Sequence, residues 1–145
     1  MSVNQIHELR KRSNQFVADL SLHISEVVDH NEKLLQLNKA QLKASKTAKG
    51  GSLVNSKTGS SKYTPQYAKK KGYSNPDLFV TGNFYKEMDI IFEPSDQYKI
   101  IDFADVTKYL VKMYTPDIFG INNKKKAQKI TVPALSLLWQ RKVLK

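Results

Sequence analysis

An α+β fold is predicted by three observations. Apolar residues Ile6, Leu9, Phe16, Leu20, Ile24 and Val27 recur at helical separations, which makes one stripe of an α-helix. Further along, MDIIFE and YKIIDF are rich in Ile and Phe and are joined through EPSDQ, the signature of an antiparallel pair. The last segment, VPALSLLWQRKVLK, puts Leu135, Leu138 and Trp139 on one helical side. Long N-terminal helices, an antiparallel β-hairpin and a C-terminal helix are therefore expected. At 145 residues they fit one domain with one modest core.

In chain order, residues 1–44 form the helical part. The first stripe predicts a helix over 3–29, and Asp29, His30 and Asn31 make a polar break. A second helix over about 31–44 follows, with Asn31 as its cap. Residues 45–62 shift to Gly, Ser, Thr and Lys with only Leu53 and Val54 to bury; they read as a flexible arm or a hairpin, SLVN and SKYT flanking KTGS. Residues 63–145 form the α+β part. There Tyr67 to Lys71 makes one helical turn stopped by Gly72, and SNPDL is a turn. The hairpin spans about 87–103. Val106, Tyr109, Leu110 and Met113 predict a helix over 104–114 closed by Thr115-Pro116. The C-terminal helix starts at Thr131, with Pro133 in its first turn and basic residues near its end, where they suit the dipole.

Composition narrows the function classes. Twenty-four Lys and Arg against 13 Asp and Glu give a formal charge of +11, which attracts nucleic acid, an anionic membrane or an acidic protein. Without cysteine there is no disulfide, cysteine-based zinc site or thiol nucleophile. The charged residues from His7 to Arg12 interrupt any signal-peptide core, and no apolar run reaches membrane-spanning length, so a soluble protein made in the cytoplasm is expected. His7, His23 and His30 lie in the helical third; a metal site there needs a third donor such as Asp19 or Glu26, and the solvated-face reading is preferred. There is no Walker A, GxSxG or HExxH pattern. Asp102 and Asp105 read as turn and helix-cap aspartates rather than a catalytic pair. Neither enzyme activity, cofactor nor metal is expected.

Basic clusters stand at Arg10-Lys11-Arg12, at Lys69, Lys70 and Lys71, and at Lys124, Lys125 and Lys126. Tyr63, Tyr67 and Tyr73 interleave the second, a composition that could neutralise phosphates while stacking bases, or meet an acidic partner.

Four blocks carry a resemblance: Asn38 with Gln41-Leu42; YTPQYAKKKG; PDLFVTGNFY; and KMYTPDIFGI. Their succession resembles small virion proteins of tailed phages that infect Bacteroidetes, including crAss-like phages. In that group N-x-x-Q-L leads to Y-x-x-x-Y-A-x-x-K-G, then L-x-x-T-G-x-F-Y, then a two-stranded stretch, then K-Y-G-x-x-I-F-G-L. The L-x-x-T-G-x-[LF] element also resembles tail-completion and neck proteins of other tailed phages. On this chain the matching positions are Tyr63, Tyr67, Gly72, Leu78, Thr81, Gly82, Phe84, Tyr85, Tyr114, Phe119 and Gly120. Two departures stand out: Thr115-Pro116 follows Tyr114 where the pattern has Gly, and a longer Lys/Gly/Ser segment follows Gln41-Leu42.

The resemblance implies a tail-completion- or neck-protein-like α+β subunit of a homo-oligomeric ring, about 12-fold, closed by heterologous contacts. Its partners would be the portal and other neck or tail proteins, with non-specific contact to packaged DNA and no membrane. Its location would be the neck or tail region of the virion. The first helix and the 45–62 arm are the candidate ring faces. The alternative is a basic, non-specific nucleic-acid-binding protein of a phage.

Overall fold

The computed structural model describes residues 1–93 and 97–145; Pro94, Ser95 and Asp96 of the expected EPSDQ turn lie outside the described residues. Among the described residues the chain forms an α+β fold of seven α-helices, one 3-10 turn and a two-stranded antiparallel sheet. No helix among them is long and apolar enough to cross a membrane.

The expected first helix is two. α1 (Val3–Ala18) opens on a capping box, the Ser2 hydroxyl accepting from the Gln5 amide and the Gln5 side chain from the Ser2 amide. α2 (Leu20–Val28) follows after a break at Asp19. The break reorients the apolar stripe: Phe16, Ile24 and Val27 are covered, whereas Ile6 and Leu20 stay exposed. α3 (Glu32–Lys43) starts where expected, with the Asn31 side chain accepting from the Leu34 amide at 3.1 Å.

The hairpin pairs β1 (Met88–Glu93) with β2 (Gln97–Asp102) in the register Ile90 opposite Ile100 and Phe92 opposite Tyr98. Alternation buries Met88, Ile90 and Ile100 against α3 and the core, which also holds Leu34, Leu35, Leu42, Phe84 and Ile118. The α2–α3 turn covers the free edge of β1: the His30 amide donates to the Ile90 carbonyl, and Asp29 accepts from the Phe92 amide.

Residues 45–62 form no strand pair. Among the described residues their one ladder contact is the bridge between Lys46 and Ser52. The backbone instead bonds to distant chain, Ala48 to the Asp117 carbonyl and Ser56 to the Met113 carbonyl, and Leu53 is fully buried. Leu53 anchors the segment on the body, which a composition of Gly, Ser and Lys does not announce.

α4 (Pro65–Lys71) starts two residues earlier than expected, capped by Thr64, and stops at left-handed Gly72, as expected. After the single turn α5 (Asn83–Lys86) and the hairpin, α6 (Thr107–Tyr114) starts three residues later than expected and ends at Thr115, which leads into a 3-10 turn over Pro116–Ile118. The C-terminal helix is the largest departure. α7 (Lys124–Val143) begins at Asn123, whose side chain accepts from the Lys126 amide at 3.0 Å, and Pro133 lies inside it rather than in its first turn. Ala127, Ile130 and Thr131 extend the half-buried stripe of Ala134, Leu135, Leu138 and Trp139 back by two turns, and this packing overrides the proline.

Because Pro133 is exposed and removes one intrahelical donor, Pro133→Ala is expected to raise stability by about 1–3 kcal/mol in urea unfolding. Gly120 has the opposite sensitivity. Its φ is 138°, and an added Cβ would stand 2.7 Å from the Ala48 Cβ. Gly120→Ala should cost about 2–3 kcal/mol, and Ala48→Gly in the same chain should recover part of that loss.

Candidate functional site

The four motif blocks, far apart in sequence, close on two adjoining knots. The first joins α3 to the FGI turn. Asn38 Nδ2 donates to the carbonyls of Ile118 at 3.0 Å and Gly120 at 2.7 Å, and Gln41 Nε2 donates to the same Gly120 carbonyl at 2.6 Å. Gln41 Oε1 then accepts from the Asn122 amide at 3.0 Å, while the Tyr98 hydroxyl accepts from the Ile121 amide at 2.9 Å. The Asn and Gln of N-x-x-Q-L thus satisfy a turn that has no ladder partner.

The second knot surrounds Asp77, which sequence reasoning left out of the motif positions. Its Oδ1 accepts from the Tyr63 hydroxyl at 3.0 Å, the Phe79 amide at 3.1 Å and the Lys71 ammonium at 3.4 Å; its Oδ2 accepts from the Tyr73 hydroxyl. The Tyr85 hydroxyl donates to the Asp77 carbonyl, and Ser45 donates to the Pro76 carbonyl. Burial alone would raise the Asp77 pKa, but the Tyr73, Phe79 and Tyr63 hydrogen bonds and the Lys71 charge hold it below the usual carboxylate range. Burial would likewise lower that of Lys71, and the Tyr73 and Asp77 contacts outweigh it and raise it. Burial, then the Asp77 charge, pushes the Tyr85 phenol up; Tyr63 is pushed up chiefly by burial.

Each motif position has a place. Tyr63 meets Tyr67 edge-on, with ring centroids 4.8 Å apart. Phe84 packs against Tyr85 at 5.5 Å and Phe119 at 6.1 Å. Leu78 and Tyr114 are buried, Leu78 at a φ of 55°. Gly82 takes a φ of 84° to start α5, Thr81 turns its hydroxyl toward the Asn83 amide, and Gly72 ends α4.

Of the basic run Lys69 to Lys71, only Lys69 and Lys70 are exposed; the Lys71 side chain is 15% exposed, lies over the Tyr73 ring and donates to the Phe79 carbonyl. Of the tyrosines that interleave this run, Tyr63 and Tyr73 donate to Asp77 and Tyr67 packs edge-on against Tyr63, although Tyr73 stays exposed beside Lys71. Lys124, Lys125 and Lys126 are exposed at the start of α7.

The other candidates fall into local roles. Asp102 Oδ1 accepts from the Ala104 amide at 2.7 Å and the Thr107 hydroxyl ahead of α6, and burial raises its pKa, while Asp105 is exposed. His23 stacks on Phe16 at 4.1 Å with Lys142 at its Nδ1, His30 meets Asp89 at 2.6 Å, and His7 is exposed. No group of three or more His, Cys, Asp or Glu able to hold a metal occurs among the described residues.

Beyond the knots, apolar side chains remain outside. Val3, Ile6 and Val17 share an outward face of α1 and are 82%, 53% and 66% exposed. A cleft of about 270 Å³ between α2, the hairpin and α7 is lined by Ile24, Val28, Phe92, Tyr98, Val132 and Leu135. Compared with protein-family models, curated proteins and solved structures, the chain has no match.

Asp77→Asn should destabilise the protein by about 1–3 kcal/mol at neutral pH, and Lys71→Gln comparably, while Lys69→Gln and Lys70→Gln stay within about 0.5 kcal/mol. A depressed carboxylate contributes stability that is present above its unfolded pKa and lost as pH falls through the folded one. Unfolding free energies measured below about pH 4 should therefore drop more steeply for the unsubstituted protein than for Asp77→Asn.

Proposed function

We propose that the protein is a structural virion subunit that assembles as a ring at the head-to-tail connector of a tailed phage, joining portal to tail and lining or sealing the DNA passage. The block resemblance supports this, and one structural observation carries it: the motif's Leu78, Phe84, Tyr85 and Tyr114 are buried in the core, while apolar side chains stay exposed on the helices. The α1 row and the cleft between α2, the hairpin and α7 are different apolar surfaces of one chain. A ring closed by rotation needs such a pair, one face of each copy against another face of the next. Catalysis plays no part in this reading.

Sedimentation velocity and native mass spectrometry should find a closed ring of about 12 copies. Ile6→Asp with Val17→Asp should reduce it to monomers with unchanged helical circular dichroism. Images of intact virions that place the chain away from the neck would sink the reading.

A second reading, a basic non-specific nucleic-acid-binding protein of a phage, is favoured by the charge distribution. Residues 33–76 hold ten lysines and no carboxylate.

A further inference from the structure

The structure joins two lysine groups that are far apart in sequence. The Lys46 amide bonds to the Gln41 carbonyl, whose side chain holds the Asn122 amide; the Ala48 amide bonds to the Asp117 carbonyl; and Lys49 pairs with Asp117 at 2.9 Å. Gly50 lies against Asn122, an added Cβ standing 3.9 Å from its Nδ2. The 45–52 segment is thereby laid beside the chain that leads into α7, which brings the exposed Lys46 and Lys49 to the end of the molecule where the exposed Lys124, Lys125 and Lys126 start the helix. The ion pair on this surface is, among the described residues, the one between Lys49 and Asp117. Among the described residues, Lys46, Lys124, Lys125 and Lys126 have no ion-pair partner.

We infer that this composite surface, Lys46 and Lys49 with Lys124 to Lys126, binds the phosphate backbone of duplex nucleic acid without reading its sequence. Three further features select that ligand. First, lysines at a helix start oppose the helix dipole, so their position serves no purpose within α7, whereas the same dipole adds to their attraction for an external anion. Second, neither 45–52 nor 121–131 exposes a large hydrophobic side chain, so the apolar centre of a protein interface is missing. Third, these segments contain no aromatic residue, so single-stranded bases find nothing to stack on. Thr47, Gly50, Gly51, Ser52, Asn122 and Asn123 supply small side chains and amide or hydroxyl donors between the lysines.

This inference rests on the nucleic-acid reading and not on the ring. Its test is fluorescence anisotropy of the full chain with a mixed-sequence DNA duplex of about 30 base pairs, titrated at several salt concentrations. The unsubstituted protein should show a log-log salt slope of about −4, and K124Q/K125Q/K126Q should weaken binding on the order of tenfold and flatten the slope by about 3. K46Q/K49Q should act in the same direction. K69Q/K70Q should change the affinity by less than about twofold. If the duplex binds but the patch variants bind as well as the unsubstituted chain, or K69Q/K70Q weakens binding as much, the site assignment is overturned and the nucleic-acid reading stands. If no duplex binds while polyglutamate does, both are overturned in favour of an acidic protein partner. Oligomer mass, read in parallel, reports on the ring separately.

Discussion

The fold depends on how the Gly120 carbonyl is held. A turn that belongs to no sheet must find donors for its carbonyls, and here α3 supplies them from side chains, Asn38 and Gln41, facing the core. A polar pair inside a helix interface would otherwise be a liability. Gly120 lets the turn come close enough, because its missing side chain leaves room for Ala48. From this point the 45–53 segment is laid down, Leu53 reaches the core, and β2 is tied in through the Tyr98 hydroxyl on Ile121. The helical part, the loop, the hairpin and the C-terminal third therefore meet at one turn.

What the sequence made legible follows periodicity and caps. Val106, Leu110 and Met113 announced α6, Ile90 and Ile100 announced the hairpin, and Asn31 and Gly72 marked a helix start and a helix stop. What it hid follows from tertiary contact. The Asp19 break leaves helical spacing intact on both sides, so the stripe reads as continuous. Pro133 reads as a first-turn signal, although Asn123 caps the helix and Ala127 and Ile130 already lie on its packed side. The 45–62 segment is dominated by residues that suit a loop, and only the long-range placement of Leu53 shows where that loop goes.

The Asp77 knot was hidden for a different reason. Aspartate in a PDL sequence reads as a turn residue, and Lys71 reads as one of three equivalent lysines. A signal was present nonetheless: Asp77 is the first carboxylate after the long lysine-rich stretch, and tyrosines stand on both sides of it. A carboxylate alone among so many donors is a strong attractor, and it gathers the nearest lysine and two tyrosines, Tyr63 and Tyr73, while Tyr85 donates to the Asp77 backbone carbonyl. The segment from Tyr63 to Tyr85 is therefore folded around Asp77, and its basic composition overstates its outward charge by the Lys71 ammonium.

That sorting of charge separates two properties that composition merges. The lysines the fold needs can be identified by what they touch: Lys71 holds Asp77, and Lys142 holds Glu26 and His23. The lysines at the start of α7 are different, since each stands against the helix dipole at a cost of about 0.3–1 kcal/mol. Asn123 offsets part of that cost by capping the helix, and the packing of Ala127, Ile130 and Leu135 offsets more. A helix selected for stability alone would carry acids in its first turn. Carrying lysines instead, beside a loop without acidic residues, α7 gives up stability locally, and among the described residues no carboxylate pairs with Lys124, Lys125 or Lys126 to offset that cost.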